Sequence, residues 1–441
     1  MEFEDVRLKG FARRITVNQA IDICMASFPV FKPVVVSLKA TSITNRILRQ
    51  DIRSLRPVPP FDRSAVDGYA VIANETWGAS ESNPITFEVI GEVEIGTSPA
   101  LKLESGKVIQ IPTGGMIPKD ADAVVMVEDT NIIASEGNKP KIIEITKSIH
   151  PRKNVARAGE DLQAEHLLLS KGRKLKAVDR AFLLSAGIIK INVSPIPSIA
   201  IFSTGNELVE AWHSELLPGK IPDVNSVNLF EFCREEGWNP QIQGVIPDDK
   251  TILKEALLKA VQKFDVILLS GGSSVGKRDF TPPLLNELGK VIFHGIAMRP
   301  GGPVIAANIS NKIVFGLPGF PAAAIIAFRF IFRPVIYGLL GLDPSYSPIT
   351  LEARITRNVG SKLGRLDFLR VILKKVDNGQ LVAKPMEIGG SGLLRSIVHG
   401  NGICLIPETS EGLKEGDLVD VIVLDRDQIN YGANVAEDFS L

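Results

Sequence analysis

The spacing of apolar residues divides the chain into segments of different character. Residues 14–27 and 42–53 both carry apolar residues at helical spacing, which predicts two packing helices. From Pro57 onward, prolines and short β-like runs between turn residues replace that pattern. The runs lie at 69–73, 85–95, 107–111 and 123–128. This part of the chain is therefore predicted to form a small all-β insertion.

A mixed pattern returns after Pro151, with a helix predicted at 179–186 that ends at Gly187. Residues 198–340 then alternate continuous apolar runs with amphipathic stretches. The runs predict strands at 198–203, 241–246, 265–270 and 312–317, and the stretches predict helices at 226–237, 249–262 and from about Ala322. This alternation indicates a parallel sheet covered by helices on both faces. Residues 350–425 carry only β-like runs, which predict a small terminal β-barrel or sandwich.

The composition is that of an ordinary globular protein. The 441 residues are 45% hydrophobic and 23% charged, and 50 basic residues balance 50 acidic ones. A net charge of zero argues against bulk electrostatic binding to nucleic acid or to an anionic membrane. The acidic N-terminus does not resemble a signal peptide, and the apolar stretch 320–342 is interrupted by Arg329 and Arg333. We therefore expect a cytoplasmic protein without a nucleic-acid or membrane partner.

Cysteine and histidine offer little chemistry. The three cysteines are far apart, the five histidines are scattered, and neither a CxxC nor an HExxH motif occurs. A structural zinc site, a disulfide framework and a histidine-centred triad are therefore disfavoured.

Four loops are expected at the carboxyl ends of the predicted strands, where open α/β sheets bind ligands. They are 203–207 (STGNE), 247–249 (PDD), 270–279 (SGGSSVGKRD) and 316–321 (GLPGFP). Small residues in the first loop allow a ligand to approach the backbone, and Glu207 adds a carboxylate. One of Asp248 and Asp249 is expected to cap a helix, which leaves the other for a ligand. A plain strand-to-helix turn remains an alternative interpretation of these loops.

The glycine-rich loop 270–279 can cradle an anion with its backbone N–H groups. It matches GxxxxGK, but Arg278 stands where a phosphate-binding loop needs a hydroxyl for Mg²⁺. The match therefore favours a different phosphate or pterin cradle over the loop of a nucleoside triphosphatase. Arg299, between Met298 and Pro300, is a permanent cation that can hold an oxyanion by two parallel hydrogen bonds.

Loops outside the predicted sheet add acids and hydroxyls at 59–69, 111–115 and 158–161. In the last domain, Arg365 and Arg370 flank a short apolar run. Together the loops provide anion cradles, hard oxygen ligands suited to Mg²⁺ and arginines for an oxyanion, without a strong nucleophile–base pair. This combination indicates metal-assisted group transfer on a phosphorylated ligand.

The motifs, taken in order, resemble those of the molybdopterin molybdenumtransferase family, which includes the E domain of gephyrin. They are PPFDRSAVDGYAV (59–71), IPTGGMIP (111–118), AGED (158–161), FSTGNEL (202–208), SGGSSVGKRDF (270–280), MRPGGP (298–303) and GLPGFP (316–321). The resemblance covers nearly the whole chain. It is far more specific than the partial phosphate-loop match.

The resemblance implies a multidomain α/β plus β fold, assembled as a homodimer whose active sites are shared between subunits. The expected domains are a discontinuous linking and dimerisation domain (1–46 and 147–190), an inserted small β domain (47–146), a parallel α/β sandwich domain for molybdopterin (191–342) and a C-terminal β-barrel (345–428). The implied reaction is Mg²⁺-dependent insertion of molybdate, or tungstate, into adenylylated molybdopterin with release of AMP. A transient contact with a molybdopterin adenylyltransferase is also expected.

The resemblance further implies roles for individual residues. Those expected to act in catalysis are Asp62, Asp67, Asp161, Glu207 and Asp279, and the expected metal ligands are Glu207, Asp248 and Asp279. Those expected to bind the pterin nucleotide are Thr113, Ser203, Thr204, Gly205, Ser270, Gly271, Gly272, Ser273, Ser274, Gly276, Pro318 and Gly319. Those expected to hold the oxyanion are Arg299, Pro300, Gly301, Arg370 and Ser391.

The chain departs from the family pattern at three positions near the expected oxyanion site. Gly302 stands where the family often has a second lysine, and Phe320 and Ala323 replace an asparagine and a serine. Either a preference for tungstate or a weak insertion step would be consistent with a less polar pocket. A non-catalytic molybdopterin carrier or scaffold is therefore the alternative function, and a P-loop nucleotidase is a remote one.

Overall fold

The computed structural model describes residues 14–39, 42–134, 141–213, 215–271, 280–343, 347–376, 379–386 and 394–424. The first predicted helix is confirmed as Val17–Ser27. Thr16 caps it, because its Oγ1 accepts a hydrogen bond from the Gln19 N–H (3.2 Å) while Gln19 Oε1 accepts one from the Thr16 N–H (3.0 Å). The helix buries Ala20 and Cys24 in the core of the α/β domain described below.

The second predicted helix, at 42–53, is wrong. Ile47 and Leu48 instead form single bridges with Lys174 and Val193, and a strand, Ile52–Arg53, pairs with another, Leu167–Leu169. The apolar residues that suggested a helix are buried in two cores, Ile43, Leu48 and Ile52 in one and Ile47 in the other, so long-range packing has overridden the local periodicity. Two neighbouring strands, Val34–Ser37 and Lys190–Val193, pair with each other. The helix predicted before Gly187 is confirmed as Ala177–Ser185.

The inserted segment forms a six-stranded sheet. Its strands, in spatial order, are Ala123–Met126, Gly68–Val71, Lys107–Ile111, Ile85–Glu92, Lys141–Ile145 and Thr130–Ala134. The four predicted strands are confirmed, and the last two were not predicted. Short 3₁₀ turns lie at Ala73–Thr76 and Val127–Asp129, and the strand Arg63–Ser64 pairs with Val155–Ala156. This last pair joins the chain that enters the sheet to the chain that leaves it.

The central domain contains a six-stranded sheet, whose strands and helices we number in chain order. The strands are β1 (Ser198–Thr204), β2 (Asn239–Ile246), β3 (Val266–Ser270), β4 (Lys290–His294), β5 (Ile305–Ile309) and β6 (Lys312–Leu317). Their spatial order is β2-β1-β3-β6-β5-β4. The four predicted strands are parallel, whereas β4 and β5, which were not predicted, add an antiparallel edge. A short parallel pair, Leu208–Val209 with Ile221–Pro222, follows β1.

Helices cover both faces of this sheet. They are α1 (Val224–Glu235), α2 (Lys250–Lys263), α3 (Thr281–Leu288) and α4 (Pro321–Leu340), the last with a π-helical turn at Phe328–Phe332. Alternate residues of β1 enter different cores, since Ile199 and Ile201 lie in one cluster and Ala200 and Phe202 in the other. The expected two-sided burial is confirmed.

Helix α4 is long and apolar enough to cross a membrane by length and composition. In the fold, however, 72% of its apolar window is buried. It packs against the helix Val17–Ser27 and contributes Phe328, Phe332 and Tyr337 to the largest core cluster. Its apolar character is therefore explained by its place in the protein interior.

The C-terminal strands close into a β-barrel. They are Thr350–Ile355, Leu366–Lys375, Leu381–Pro385, Gly402–Ile406 and Leu418–Val423. The ring closes because Leu366–Lys375 pairs with both Leu381–Pro385 and Gly402–Ile406. The smaller elements are the paired strands Val359–Gly360 and Gly412–Leu413 and the short helix Arg395–Val398. The barrel, rather than a sandwich, is thus the observed form.

One strand connects the barrel to the central domain. The two-residue strand Met298–Arg299, which lies between β4 and β5 in the chain, pairs in parallel with the start of Leu366–Lys375. Arg299 is the register partner of Asp367. The barrel is therefore held by backbone hydrogen bonds against a loop of the α/β domain.

Candidate functional site

The carboxyl ends of four parallel strands lie level at one edge of the central sheet. Thr204 is in register with Ile246, Ser203 with Ser270, and Ser270 in turn with Leu317. The loops that follow these strands must therefore emerge side by side. The structure thus brings together four loops that span more than a hundred residues of sequence, as expected for a ligand site in an open α/β sheet.

Small residues and hydroxyls line the centre of this edge, which we call the sheet-edge cradle (Ser203, Thr204, Ser270, Gly271 and Gly319). A side chain at Gly271 would collide with the Thr204 backbone oxygen, 2.5 Å from an ideal Cβ, and the Gly271 φ of +91° also favours glycine. Gly319 packs on Gly271. The cradle is therefore formed by backbone at close approach.

Two hydroxyls of the cradle lack an internal partner. Ser203 and Thr204 are buried, yet Ser203 Oγ and Thr204 Oγ1 form no hydrogen bond with any residue in the described part of the chain. Buried polar groups are normally satisfied, and a group that is not costs about 1–3 kcal/mol. A polar ligand seated in the cradle would supply the missing partners.

Asn225, which the sequence analysis did not identify, connects two loops of the cradle by hydrogen bonds. Its Nδ2 donates hydrogen bonds to Ser270 Oγ (2.8 Å) and to the Gly319 carbonyl (2.8 Å), whereas its buried Oδ1 has no partner among the described residues. Asp223, the cap of α1, holds the start of that helix in place. The pattern Asp-x-Asn-Ser at a helix start is the signal that could have identified this residue.

The predicted acidic residues Glu207 and Asp248 lie at the exposed rim of the same edge. The Glu207 carboxylate folds back over Gly205, and Asp248 exchanges hydrogen bonds with Asn206, its backbone N–H donating to Asn206 Oδ1 at 3.1 Å. Asp249 caps α2, since its Oδ1 accepts hydrogen bonds from two backbone N–H groups. The helix-cap prediction is thereby assigned to Asp249, which leaves Asp248 open to solvent.

These two carboxylates have the hard oxygen atoms that Mg²⁺ prefers, and both face solvent rather than a permanent cation. The donor set therefore fits the predicted metal, although among the residues with described positions no three metal-binding side chains gather into one group. The third expected ligand, Asp279, lies outside the described residues. So do Gly272, Ser273, Ser274, Gly276 and Ser391.

The two arginines expected to hold an oxyanion meet in one pocket. Because Met298–Arg299 pairs with the start of Leu366–Lys375, Arg299 lies beside the barrel strand that carries Arg370. Both line one shallow pocket that opens to solvent. Arg370 is buried, and it donates from Nε to Ser396 Oγ (3.2 Å) and from Nη1 to the Phe368 carbonyl (3.3 Å).

The electrostatics of this arginine pocket reflect the proximity of its charges. Burial lowers the pKa of Arg370 below its usual value, and the positive charge of Arg299 lowers it further, whereas the Asp367 carboxylate acts in the opposite direction. An anion entering the pocket would relieve the repulsion between the two guanidinium groups. The pocket therefore has the charge and the donors that a tetrahedral oxyanion needs.

The backbone of the Arg299 loop is tightly packed. A Cβ at Gly302 would lie 3.2 Å from the Met298 oxygen and 3.4 Å from the Ile296 oxygen, and Gly301 has a φ of +106°. A lysine at Gly302 would therefore require a shift of the backbone. Of the other departures, Phe320 is 62% exposed and Ala323 is buried.

A third group of predicted residues lies on the inserted β domain. Asp62 accepts hydrogen bonds from the Ala158 N–H (2.7 Å) and from Arg152 Nη1 (3.1 Å), and Asp67 Oδ1 accepts one from the Thr113 N–H (2.7 Å). Asp161 joins the same loops, because its N–H donates to the Val58 carbonyl. The three motifs 59–69, 111–115 and 158–161 are therefore adjacent in space.

Within one chain this group is separate from the other two. Across the described ranges, no hydrogen bond or ion pair joins Asp62, Asp67 or Asp161 to the sheet-edge cradle or to the arginine pocket. The structure does not test which role each residue has, so the assigned roles stay predictions.

Comparison with known protein families covers most of the chain. Residues 15–187 match the model described as the MoeA N-terminal region (domain I and II). Residues 200–338 match a "probable molybdopterin binding domain", and residues 352–424 match the MoeA C-terminal region (domain IV). The fold and its sites thus define a multidomain protein of the molybdopterin-biosynthesis class.

Individual relatives agree with this class. The chain is 39% identical to a molybdopterin biosynthesis protein of Methanocaldococcus jannaschii (86% of this chain, 90% of the relative). It is 32% identical to the molybdopterin molybdenumtransferase of Bacillus subtilis (86% and 87%). A crystal structure of the molybdopterin biosynthesis MoeA protein from Pyrococcus horikoshii superposes with a TM-score of 0.76 at 36% identity, covering 94% of this chain and 100% of that one. The chain belongs to the molybdopterin molybdenumtransferase (MoeA) family of transferases.

Proposed function

We propose that the protein inserts molybdate or tungstate into adenylylated molybdopterin in a Mg²⁺-dependent reaction that releases AMP. The single observation that carries this proposal is the meeting of Arg299 and Arg370 in one pocket where the barrel joins the α/β domain. The chemistry needs fixed positive charge for a dianionic substrate, and two guanidinium groups meet that need.

The sheet-edge cradle is the site proposed for the pterin nucleotide. Its backbone permits close approach, and the unpartnered hydroxyls of Ser203 and Thr204 favour a polar ligand over an apolar one. Glu207 and Asp248, together with Asp279, would hold Mg²⁺, which neutralises phosphate charge when bound. In this proposal the residues of the chain contribute by binding and orienting the ligand, and positioning of this kind does not require a nucleophile–base pair.

We further propose that the protein acts as a cytoplasmic homodimer with shared sites. Among the described residues of one chain, the acidic group of Asp62, Asp67 and Asp161 has no hydrogen bond or ion pair with the other two groups. A second copy would place one subunit's acidic group against the other's cradle. Each subunit would have the domain boundaries given in the sequence analysis. A transient contact with a molybdopterin adenylyltransferase would deliver the substrate without releasing it to solvent.

The test is a single-turnover assay with purified protein and adenylylated molybdopterin. AMP should appear only when both Mg²⁺ and molybdate (or tungstate) are present, and Glu207→Gln should slow its release by about a hundredfold. Arg354→Gln is a control for a charge removed far from the site, because Arg354 lies on the barrel, where its side chain donates to the Gly416 carbonyl (3.0 Å).

Tight pterin binding without AMP release would contradict the proposal and favour a non-catalytic carrier. One observation supports that second candidate: the pocket lacks the second lysine common in the family, and Gly302 in its place is packed closely against two backbone oxygens.

A further inference from the structure

The arginine pocket contains a carboxylate, which is unexpected in a site for an anion. Asp367 lines the pocket together with Arg299 and Arg370, and it is only 7% exposed. A buried carboxylate beside an anionic substrate opposes binding unless another charge compensates for it. The contacts of Asp367 therefore decide how many positive charges remain available to a substrate.

Arg365 contacts both carboxylate oxygens of Asp367. Arg365 Nη2 donates to Asp367 Oδ2 (3.2 Å), Arg365 Nε lies 2.8 Å from Asp367 Oδ1, and the Ser361 hydroxyl donates to Oδ2 at 2.9 Å. The Arg365 side chain is mostly buried, so this ion pair is only weakly screened by solvent. Arg365 and Asp367 thus form a neutral pair with both charges held in place.

Arg299 and Arg370 both keep hydrogen-bond donors that Asp367 does not occupy. Arg299 Nη1 lies 3.9 Å from Asp367 Oδ2, which makes a long ion pair without a hydrogen bond, so the Arg299 donors are not occupied by Asp367. Arg370 uses Nε and Nη1 for protein partners, and its Nη2 has none within the described residues. Two guanidinium groups therefore remain available for a ligand.

We propose that the Arg365–Asp367 pair sets the effective charge of the arginine pocket at two, so that a tetrahedral dianion is bound firmly enough to be held yet weakly enough to be transferred. Asp367 is a positioning and charge-setting residue in this account rather than a catalytic one. The inference rests on the proposed function, because it assumes that the pocket receives an oxyanion.

The sign of each charge change follows from Coulomb's law. Removing the Asp367 charge would leave Arg365 unpaired, raise the effective charge to three and tighten dianion binding. Removing the Arg365 charge would leave Asp367 unpaired, lower the effective charge to one and weaken binding. Removing both would restore two. Residues that served only to support the fold would not produce opposite changes that cancel.

The experiment measures the dissociation constant for tungstate by equilibrium dialysis of the whole protein at low ionic strength. We expect Asp367→Asn to lower the constant by about tenfold and Arg365→Gln to raise it by about tenfold. The Asp367→Asn/Arg365→Gln double variant should return to within about threefold of the unchanged protein. Asp420→Asn, an exposed barrel residue that does not line the pocket, controls for net charge and should leave the constant unchanged.

Unchanged or weaker binding by a folded Asp367→Asn variant would overturn the inference, and so would a double variant as defective as the worse single one. Thermal unfolding of each variant establishes folding. If Asp367→Asn does not fold, Arg365→Gln must still weaken binding, and normal binding by that variant would overturn the inference. Tungstate binding that is absent, or unaffected by Arg370→Ala, would instead defeat the proposed function.

Discussion

The sheet-edge cradle and the arginine pocket differ in the charge of their buried polar groups and in how those groups are compensated within the protein. The cradle leaves neutral groups, Ser203 Oγ, Thr204 Oγ1 and Asn225 Oδ1, buried without a partner in the described chain. In the arginine pocket the buried groups are charged: Asp367 is paired with the neighbouring Arg365, and Arg370 donates to Ser396 and to the Phe368 carbonyl. Arg365 Nε and Asp367 Oδ1 form no hydrogen bond within the described residues, but they lie 2.8 Å apart as an ion pair, so the two charges compensate each other. A buried hydroxyl without a hydrogen-bond partner lowers stability by an amount that the fold can tolerate until a ligand binds. A buried charge without a partner costs far more free energy, so it must be compensated within the protein.

The largest effect on ligand binding should come from Arg370→Ala. The substitution removes half of the pocket's effective charge and the guanidinium donors of Arg370, so tungstate affinity should fall by about a hundredfold or more. Arg370→Lys should recover part of the loss through charge alone. Equilibrium dialysis measures both variants. Equal binding by Arg370→Ala and the unchanged protein would show that the charges do not act on an oxyanion.

A smaller effect is expected when a methyl group is added to the cradle. In Gly319→Ala the new Cβ would lie 3.6 Å from Gly271 Cα, an ordinary contact, so the fold should tolerate it. The methyl group would still occupy space at the cradle surface, and KM for the pterin nucleotide should rise by about tenfold. Steady-state kinetics with a thermal unfolding control tests this. An unchanged KM would mean that the ligand does not approach Gly319.

Thr204→Val should separate binding from stability. Valine has the same shape but lacks the unpartnered hydroxyl, so the free energy of unfolding should stay the same or rise slightly, while pterin affinity falls by about fivefold. Chemical denaturation and ligand titration measure the two quantities. A clear loss of stability would show that the hydroxyl already has a structural partner, and the contrast between the two sites would then be lost.

The smallest effect on binding is expected from a charge cluster outside both sites. Burial alone raises the pKa of Glu236, but Arg333, Lys174 and the Tyr337 hydroxyl together hold the pKa below its ordinary value. The stabilisation from this depressed pKa is therefore complete above the unfolded pKa of about 4.3 and is lost as the pH falls through the folded pKa.

Glu236→Gln should remove that acid-side loss and lower stability at neutral pH by about 3 kcal/mol, because Lys174 and Arg333 lose their partner. Unfolding at several pH values measures both effects. Ligand affinity of the folded variant should not change. A change in tungstate binding would show that charge here is coupled to the sites.

The pattern of apolar residues in the sequence was sufficient to predict the strands that are buried on both faces. The parallel strands β1, β2, β3 and β6 are continuous apolar runs buried on both faces, and their loops could be assigned to one edge by topology alone. The segment 42–53 failed, because the apolar residues Ile47 and Leu48 reach partners more than a hundred residues away. Periodicity does not distinguish such pairing from a helix.

The candidate site shows the same limit. Arg299 was selected from its loop and its chemistry, and Arg370 was assigned to the oxyanion by resemblance. Their meeting, however, depends on the parallel pairing of Met298–Arg299 with a barrel strand, which no local pattern reveals. Asp367 was not singled out in the sequence, and its importance appears only from its contacts with Arg365 and Ser361. Asn225 differs, since the Asp-x-Asn-Ser pattern at the start of α1 was available in the sequence, although its contacts with Ser270 and Gly319 were not.

The central claim is that Arg299 and Arg370 jointly receive the oxyanion, and crystals soaked in tungstate test it most directly. Anomalous scattering at the tungsten edge should show one peak within hydrogen-bonding distance of both guanidinium groups. Tungsten bound elsewhere, or an empty arginine pocket at a saturating concentration, would contradict the account.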